Sequence, residues 1–437
     1  MNDPTGDEIL YPNRGDERES GGESGRVSRR RLLAGSAAAG MAATAGCSGS
    51  SDSSDGTGGG DDGGGPPTVF VFNTGDRTVS VIDAEADELV TTAYLGATSS
   101  FPSNQYIVDQ LMTEESVMWL NVERGVTAFT AASLSEATSF ETGSGANWQE
   151  VTPDGSHLVV SAREPIHMQY RLDADPTSET FGEVTAEIDR KPEGGRGEKQ
   201  GPGPCDVTIH PSGQYAYVPD IFGDTLSVIE IESFEIVNQV SVEPTAGADA
   251  VRPWMDTAAW DGETLLVENN EGETGTESVW DVSDPAKPEE VTRLTAEDNL
   301  GKLPLTSEIG PDSSVGYVFT ADSNDVTVVD LASAEVTDRI DLGGSAFVGT
   351  WGPNREKLYI PVQTSDEVKV LDHAAGEIVE TIPVGSKPYG ATAGRVRPQS
   401  DTAANMLGTM ATLGIDIAAQ GTGTTYCIGN CACGHKL

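Results

Sequence analysis

The sequence predicts an all-β fold, a seven-bladed β-propeller with four-stranded blades, closed by a C-terminal strand that completes blade one. Three observations predict it. First, a strand, a short polar turn and a second strand ending on an acidic residue recur at residues 70–83, 215–230, 315–330 and 358–372. Second, the residues closing the second strand of each unit run Asp83, Thr130, Asp173, Glu230, Asp281, Asp330, Asp372, a mean step of about 48 residues. That step suits propeller blades and is too long for leucine-rich or ankyrin repeats. Third, the first unit begins at its second strand, at Thr68, and the missing inner strand appears at the other end as Pro388-Tyr389-Gly390-Ala391-Thr392-Ala393. Joining the two ends closes the ring and removes an exposed sheet edge.

Residues 1–47 precede the fold. Ser28-Arg29-Arg30-Arg31-Leu32-Leu33 opens an apolar, small-residue stretch over 34–46. Paired arginines ahead of a short apolar region mark a twin-arginine export signal. The run is too short, and too rich in Gly and Ala, for a membrane-spanning helix. It ends at Thr44-Ala45-Gly46-Cys47, which resembles a lipobox, so Cys47 is the expected lipidation site. A cleaved signal with an incidental cysteine is the alternative. Residues 48–67 are nearly all Ser, Gly and Asp, unable to bury enough apolar surface to order themselves, and read as a disordered linker.

Residues 68–394 form the propeller. Blade four shows the plan: an inner strand over 205–209, the turn Pro211-Ser212-Gly213, then strands over 214–218, 226–230 and 235–242. The turn recurs as Pro153-Asp154-Gly155, Asp261-Gly262, Pro311-Asp312 and Pro353-Asn354. Pro, Asp and Gly supply the dihedrals that tight turns need. Blade two, about residues 105–140, is the least regular, leaving six or eight blades as alternatives. The units resemble the YVTN-type seven-bladed propellers of surface-layer-like and periplasmic proteins. The stretch Gly376-Glu377-Ile378-Val379-Glu380-Thr381-Ile382-Pro383-Val384-Gly385, followed by Lys387-Pro388-Tyr389-Gly390, carries the resemblance. The family's signature Asn stands at Asn73 and is replaced by Asp220 and Thr320 elsewhere. The resemblance implies the fold; the family itself hosts binding proteins, lactonases and cofactor-bearing oxidoreductases.

Propellers bind ligands where inner strands begin, around the channel. The residues expected there are Trp148, Cys205, Asp206, Trp254, Met255, Asp256, Glu308 and Tyr389, with Phe347 beside them. Aromatics beside carboxylates suit a sugar or a cation, although inner strands must line the channel with something in any case. Loop residues Asp220, Asn269, Asn270 and Asp322 would add to this face. His210, before Pro211-Ser212-Gly213, reads as a turn cap, whereas His167 is expected to be exposed. The Gly-containing insertion over 193–203 is placed to fold over the channel mouth, where functional loops gather. Its glycines follow no phosphate-loop spacing.

Residues 395–437 form a C-terminal tail, with a loose helix over 400–420 ahead of Cys427, Cys431, Cys433 and His435. Three thiols and an imidazole within nine residues could fill a tetrahedral shell for zinc or copper. A disulfide, with one thiol left over, and a tail of no consequence are the other readings. The Cys427/Cys431/His435 spacing resembles part of the binuclear copper site of electron-transfer domains, which needs further ligands on a scaffold absent here.

Asp and Glu total 70 against 26 Lys and Arg, for a net charge of −44. No basic patch exists to neutralise phosphates, so nucleic acid is excluded as a partner. Such an acidic surface repels itself at low salt and is relieved by screening. The composition resembles that of haloarchaeal proteins, and a salty cytoplasm explains export in the folded state without any cofactor. The expectation is a lipid-anchored protein on the outer face of the cell membrane, binding a small ligand or a surface protein without catalysis. The alternatives are a copper- or zinc-handling redox protein using the tail and a lactonase-like hydrolase using channel carboxylates.

Overall fold

The computed structural model describes residues 65–96, 105–122 and 124–398. Among the described residues, seven antiparallel sheets make the blades of a propeller, six with four strands and one with three. In blade four the strands Thr208–Ile209, Tyr215–Asp220, Thr225–Glu230 and Glu235–Ser241 pair in chain order. The regular inner strand is shorter than the sequence suggests, with an isolated bridge from Pro204 to Asp220 ahead of it. The two middle strands are buried on both faces by neighbouring blades, so they read as continuous apolar runs. The outer strand alternates exposed and half-buried residues because only one face meets the core.

The ring closes as predicted. Pro388–Gly394 pairs antiparallel with Thr68–Asn73, placing Thr392 opposite Phe70 and Ala391 opposite Val71. The clasp continues past the predicted boundary at 394. Arg397 donates to Asp83 Oδ2 at 2.9 Å, to the Pro67 carbonyl at 2.8 Å and to Thr68 Oγ1 at 3.2 Å.

A polar pair recurs between the second and third strands. Asn73 Nδ2 donates to Ser80 Oγ at 2.9 Å, and Asn269 Nδ2 to Ser278 Oγ at 2.8 Å. Ser227 Oγ donates to Asp220 Oδ2 at 2.6 Å. The recurring Asn, Asp or Thr thus ties two strands of its own blade, and Asp220 and Asn269 face inward rather than onto a ligand face.

Blade two departs from four strands. Its strands are Val117–Val122, Gly125–Thr130 and Glu136–Glu141, with no inner strand among the described residues. Residues 107–110 lack the two-residue alternation of a strand and form one helical turn. This segment runs across the ring. Gln105 Nε2 donates to the Ala258 carbonyl at 2.6 Å, and the Tyr106 hydroxyl to the Ile209 carbonyl. Gln110 Nε2 reaches the Thr152 carbonyl at 2.8 Å, and the Leu111 carbonyl accepts from Arg395 N–H at 2.7 Å. Blades five, four, three and one are all touched within seven residues.

Candidate functional site

Four consecutive blades each present one carboxylate to the channel. Glu150 comes from Asn147–Val151, Asp206 from just ahead of Thr208–Ile209, Asp256 from Pro253–Ala258 and Glu308 from Pro304–Ile309. Together they line a chamber of about 80 Å³, to which Gln105, Gln149, Thr208, Thr306 and Ser307 add amide and hydroxyl oxygens. None of the described residues lining it is Lys, Arg or His.

An apolar collar stands at the inner-strand starts. Trp148, Cys205, Trp254, Leu305, Phe347 and Tyr389, one from each of six blades, are buried in a single cluster. The Phe347 and Tyr389 rings lie 4.9 Å apart, and Trp254 Nε1 donates to the Pro304 carbonyl of the next blade at 3.2 Å. The segment carrying Gln105 and Tyr106 crosses the opposite ends of these strands. The chamber is therefore held between an apolar collar and a polar crossing segment.

Of the residues expected at the channel, Trp148, Asp206, Met255, Asp256 and Glu308 line the chamber. Cys205, Trp254 and Tyr389 sit in the collar instead, with Arg163 donating to Cys205 Sγ at 3.4 Å. Glu150 was not anticipated. Its signal is the two-residue period of a strand, which puts it on the same face as Trp148. Glu268 and Glu277, buried in the middle strands of blade five, were not anticipated either.

Burial is the first cause of every carboxyl shift here. It raises Asp206 to about 7, against backbone N–H groups of Val207 and Asp256 that favour the ionised form. Their bonds are 2.8 Å to Oδ1 and 3.3 Å to Oδ2. Asp256 stands well above the ordinary range through burial and the charges of Asp206, Glu268 and Glu150. Neither of its carboxyl oxygens has a hydrogen-bond partner among the described residues. Glu150 is raised by burial even though Oε2 accepts the Ile209 N–H at 2.6 Å. Glu308 is raised by burial, then by Glu150 and Glu268.

His210 caps its turn. Its Nδ1 accepts the Ser212 N–H at 3.1 Å, and Nε2 lies 3.1 Å from the Gly262 carbonyl. Gly262 has φ +75° and lies so close that a Cβ would come within 2.6 Å of Nε2, so only glycine fits there. His167, expected to be exposed, is buried edge-on to Phe222 at 6.4 Å because the insertion folds onto it. Within the insertion Arg196 N–H donates to the Phe222 carbonyl at 2.7 Å and Lys199 Nζ sits 4.2 Å above the Phe222 ring. Phe222 belongs to the collar cluster, so the insertion braces the collar from outside.

Cys47, Cys427, Cys431, Cys433 and His435 lie outside the described residues. Among the described residues, no three His, Cys, Asp or Glu side chains converge on one metal position, and no helix is long and apolar enough to cross a membrane.

No protein-family model matches the chain, and no curated protein matches its sequence. Solved structures share its fold. A functionally unknown protein from Desulfotomaculum acetoxidans superposes with a TM-score of 0.58 at 15% identity, covering 76% of this chain and 100% of the other. The periplasmic gluconolactonase of Pseudomonas aeruginosa gives 0.57 at 16%, covering 75% and 98%. Hydrazine synthase of Kuenenia stuttgartiensis gives 0.53 at 15%, covering 74% and 99%. At such identities the likeness establishes the seven-bladed propeller and nothing about chemistry.

Proposed function

We propose that this protein is an exported, lipid-anchored β-propeller that binds a ligand at the cell surface through its channel. The observation that carries the reading is the convergence of Glu150, Asp206, Asp256 and Glu308, one from each of four successive blades, on one oxygen-lined chamber. Trp148 and Met255 supply its apolar walls. The chamber volume favours a small ligand over a lactone substrate. About 80 Å³ falls well short of the roughly 300–1,000 Å³ that sites for organic ligands occupy. The twin-arginine motif at Arg29 and Arg30, the thiol at Cys47 and the Ser/Gly/Asp linker support the surface location. One fold neighbour, the gluconolactonase, is described as periplasmic, in keeping with export.

Two measurements test this. Protein purified from high-salt cells is assayed for co-purifying small ligands and ions, with Asp256→Asn and Glu308→Gln alongside. The variants are expected to lose whatever the parent retains, and equal retention refutes a channel site. Fractionation tests the location: Arg29→Lys with Arg30→Lys should hold the chain inside the cell, and Cys47→Ser should release it from the membrane. Unchanged partitioning of both variants refutes the anchor.

A further inference from the structure

We propose that the chamber holds a hydrated divalent cation of the hard, oxygen-seeking kind, Ca²⁺ or Mg²⁺, with Asp256 as its direct ligand and Glu150, Asp206 and Glu308 reaching it through water. The proposal rests on the channel being the ligand site and adds the identity of the ligand.

Four observations carry it. Asp256 is 5% exposed, lines the chamber and leaves both carboxyl oxygens without a hydrogen-bond partner among the described residues. A buried carboxyl in that state is costly unless something in the chamber meets it. The polar side chains of the lining offer carboxylate, amide and hydroxyl oxygens, the donor set of hard cations, with no thiolate or imidazole to favour copper or zinc. The four acids come from four blades and do not close on one point. An ion here therefore keeps water in its shell, as Mg²⁺ characteristically does and Ca²⁺ readily does. The size agrees. A water occupies roughly 10–15 Å³ by this kind of measure, so about 80 Å³ admits an ion with several waters and is small for a sugar.

The structural consequence follows from the topology. An ion bridging Glu150, Asp206, Asp256 and Glu308 ties blades three to six at their inner edges. The crossing segment contacts the same blades three, four and five from one end, through Gln110, Tyr106 and Gln105. Ion binding and closure of the ring would then support each other.

Terbium(III) luminescence tests the site, because Tb³⁺ stands in for Ca²⁺ and Trp148, in the chamber wall, can sensitise it. Titration in about 1 M KCl, where the Debye length is about 3 Å, suppresses loose association with the acidic surface. The expected result is one saturable site per chain, displaced by excess Ca²⁺ or Mg²⁺ and weakened about tenfold or more in Asp256→Asn and in Glu308→Gln. Trp148→Phe should dim the emission, because the sensitising ring stands in the chamber wall. Circular dichroism checks that each variant folds. Glu150→Gln carries the test if Asp256→Asn does not fold. The absence of a saturable site, or a site indifferent to all three carboxyl variants, overturns the proposal. If no ion binds but the variants lose a different ligand from native cells, the cation identity falls and the channel reading stands. If neither property changes, both fall.

Discussion

Glu268 and Glu277 stand directly opposite each other on the middle strands of blade five, fully buried, and no oxygen of either carboxyl has a hydrogen-bond partner among the described residues. The Ser307 hydroxyl of blade six approaches Glu268 without reaching bonding geometry. Burial raises both acids, and for Glu277 the charge of Glu268 adds to it. Glu268 is pushed up to about 8 and Glu277 well above its ordinary value. Two ionised carboxylates cannot share this site, so burial and mutual repulsion favour the protonated forms.

The pair makes stability depend on pH with a definite sign. Between the unfolded value of 4.5 and the folded value of about 8, Glu268 keeps a proton in the folded chain that the unfolded chain has released. Its contribution is therefore complete below about pH 4.5 and is lost as pH rises toward about 8, at no more than about 1.4 kcal/mol per pH unit for each such group. Urea unfolding from about pH 5 to about pH 9, in high salt without divalent ions, should show a falling midpoint. Glu268→Gln and Glu277→Gln should flatten the fall. A midpoint that rises over that range contradicts the assignment.

The repeat was legible because a propeller repeats one physical problem. Five blades share one turn and four share a cross-strand polar pair, so Pro153-Asp154-Gly155 and Asn73 announce themselves. The closing strand could be counted for the same reason. Blade two was not legible as three strands, because the work of its inner strand is done by Gln105 and Tyr106 reaching carbonyls of distant blades. Sequence gives no sign of such a long-range partner. Asp206, Asp256 and Glu308 could be named since inner strands are identifiable. Glu268 and Glu277 could not, since the middle strands are buried on both faces and alternation there says nothing about which side faces a neighbour.

Arg397 should matter more than its place beyond the last strand suggests. It joins Asp83, Thr68 and Pro67 of blade one to the end of the chain. Burial alone would raise Asp83, but the Arg397 guanidinium and the Glu85 and Ala86 N–H groups together hold it below its ordinary value. The ion pair is partly exposed, worth about 1 kcal/mol or less by itself. Arg397→Ala should therefore lower the thermal midpoint by only a few degrees. A chain ending at residue 384, which lacks Pro388–Gly394 altogether, should lose cooperative unfolding by calorimetry. Cooperative unfolding of that shorter chain would show that the ring does not need this strand.

Tyr106 offers a test of the crossing segment. Its hydroxyl is buried against the Ile209 carbonyl, and its ring meets Trp260 edge-on at 6.0 Å. Tyr106→Phe keeps the ring contact and strands the carbonyl, at a cost of about 1–3 kcal/mol. Tyr106→Ala removes both and should cost about 3–5 kcal/mol, in the manner of other large-to-small core changes. Chemical denaturation separates the two, and equal effects would show that the hydroxyl contributes nothing.

Arg190 and Asp220 form a fully buried ion pair at 2.9 Å, at the junction of blades three and four. Arg190 also donates to Ser227 Oγ at 3.0 Å and pairs with Glu193. Burial lifts the Asp220 carboxyl despite the facing guanidinium, so desolvation weighs heavily against the attraction. Removing one partner leaves an uncompensated buried charge. Arg190→Met should therefore destabilise the protein by about 3–5 kcal/mol. Replacing both, as Arg190→Met with Asp220→Leu, removes two charges that were both costly to bury. The double variant should recover most of that loss despite its second substitution, leaving Ser227 Oγ and Glu193 to find other partners. Urea midpoints of the parent, both single variants and the double variant complete the cycle. Additive losses would mean that the two charges do not depend on each other, and that Arg190 acts through Glu193 instead.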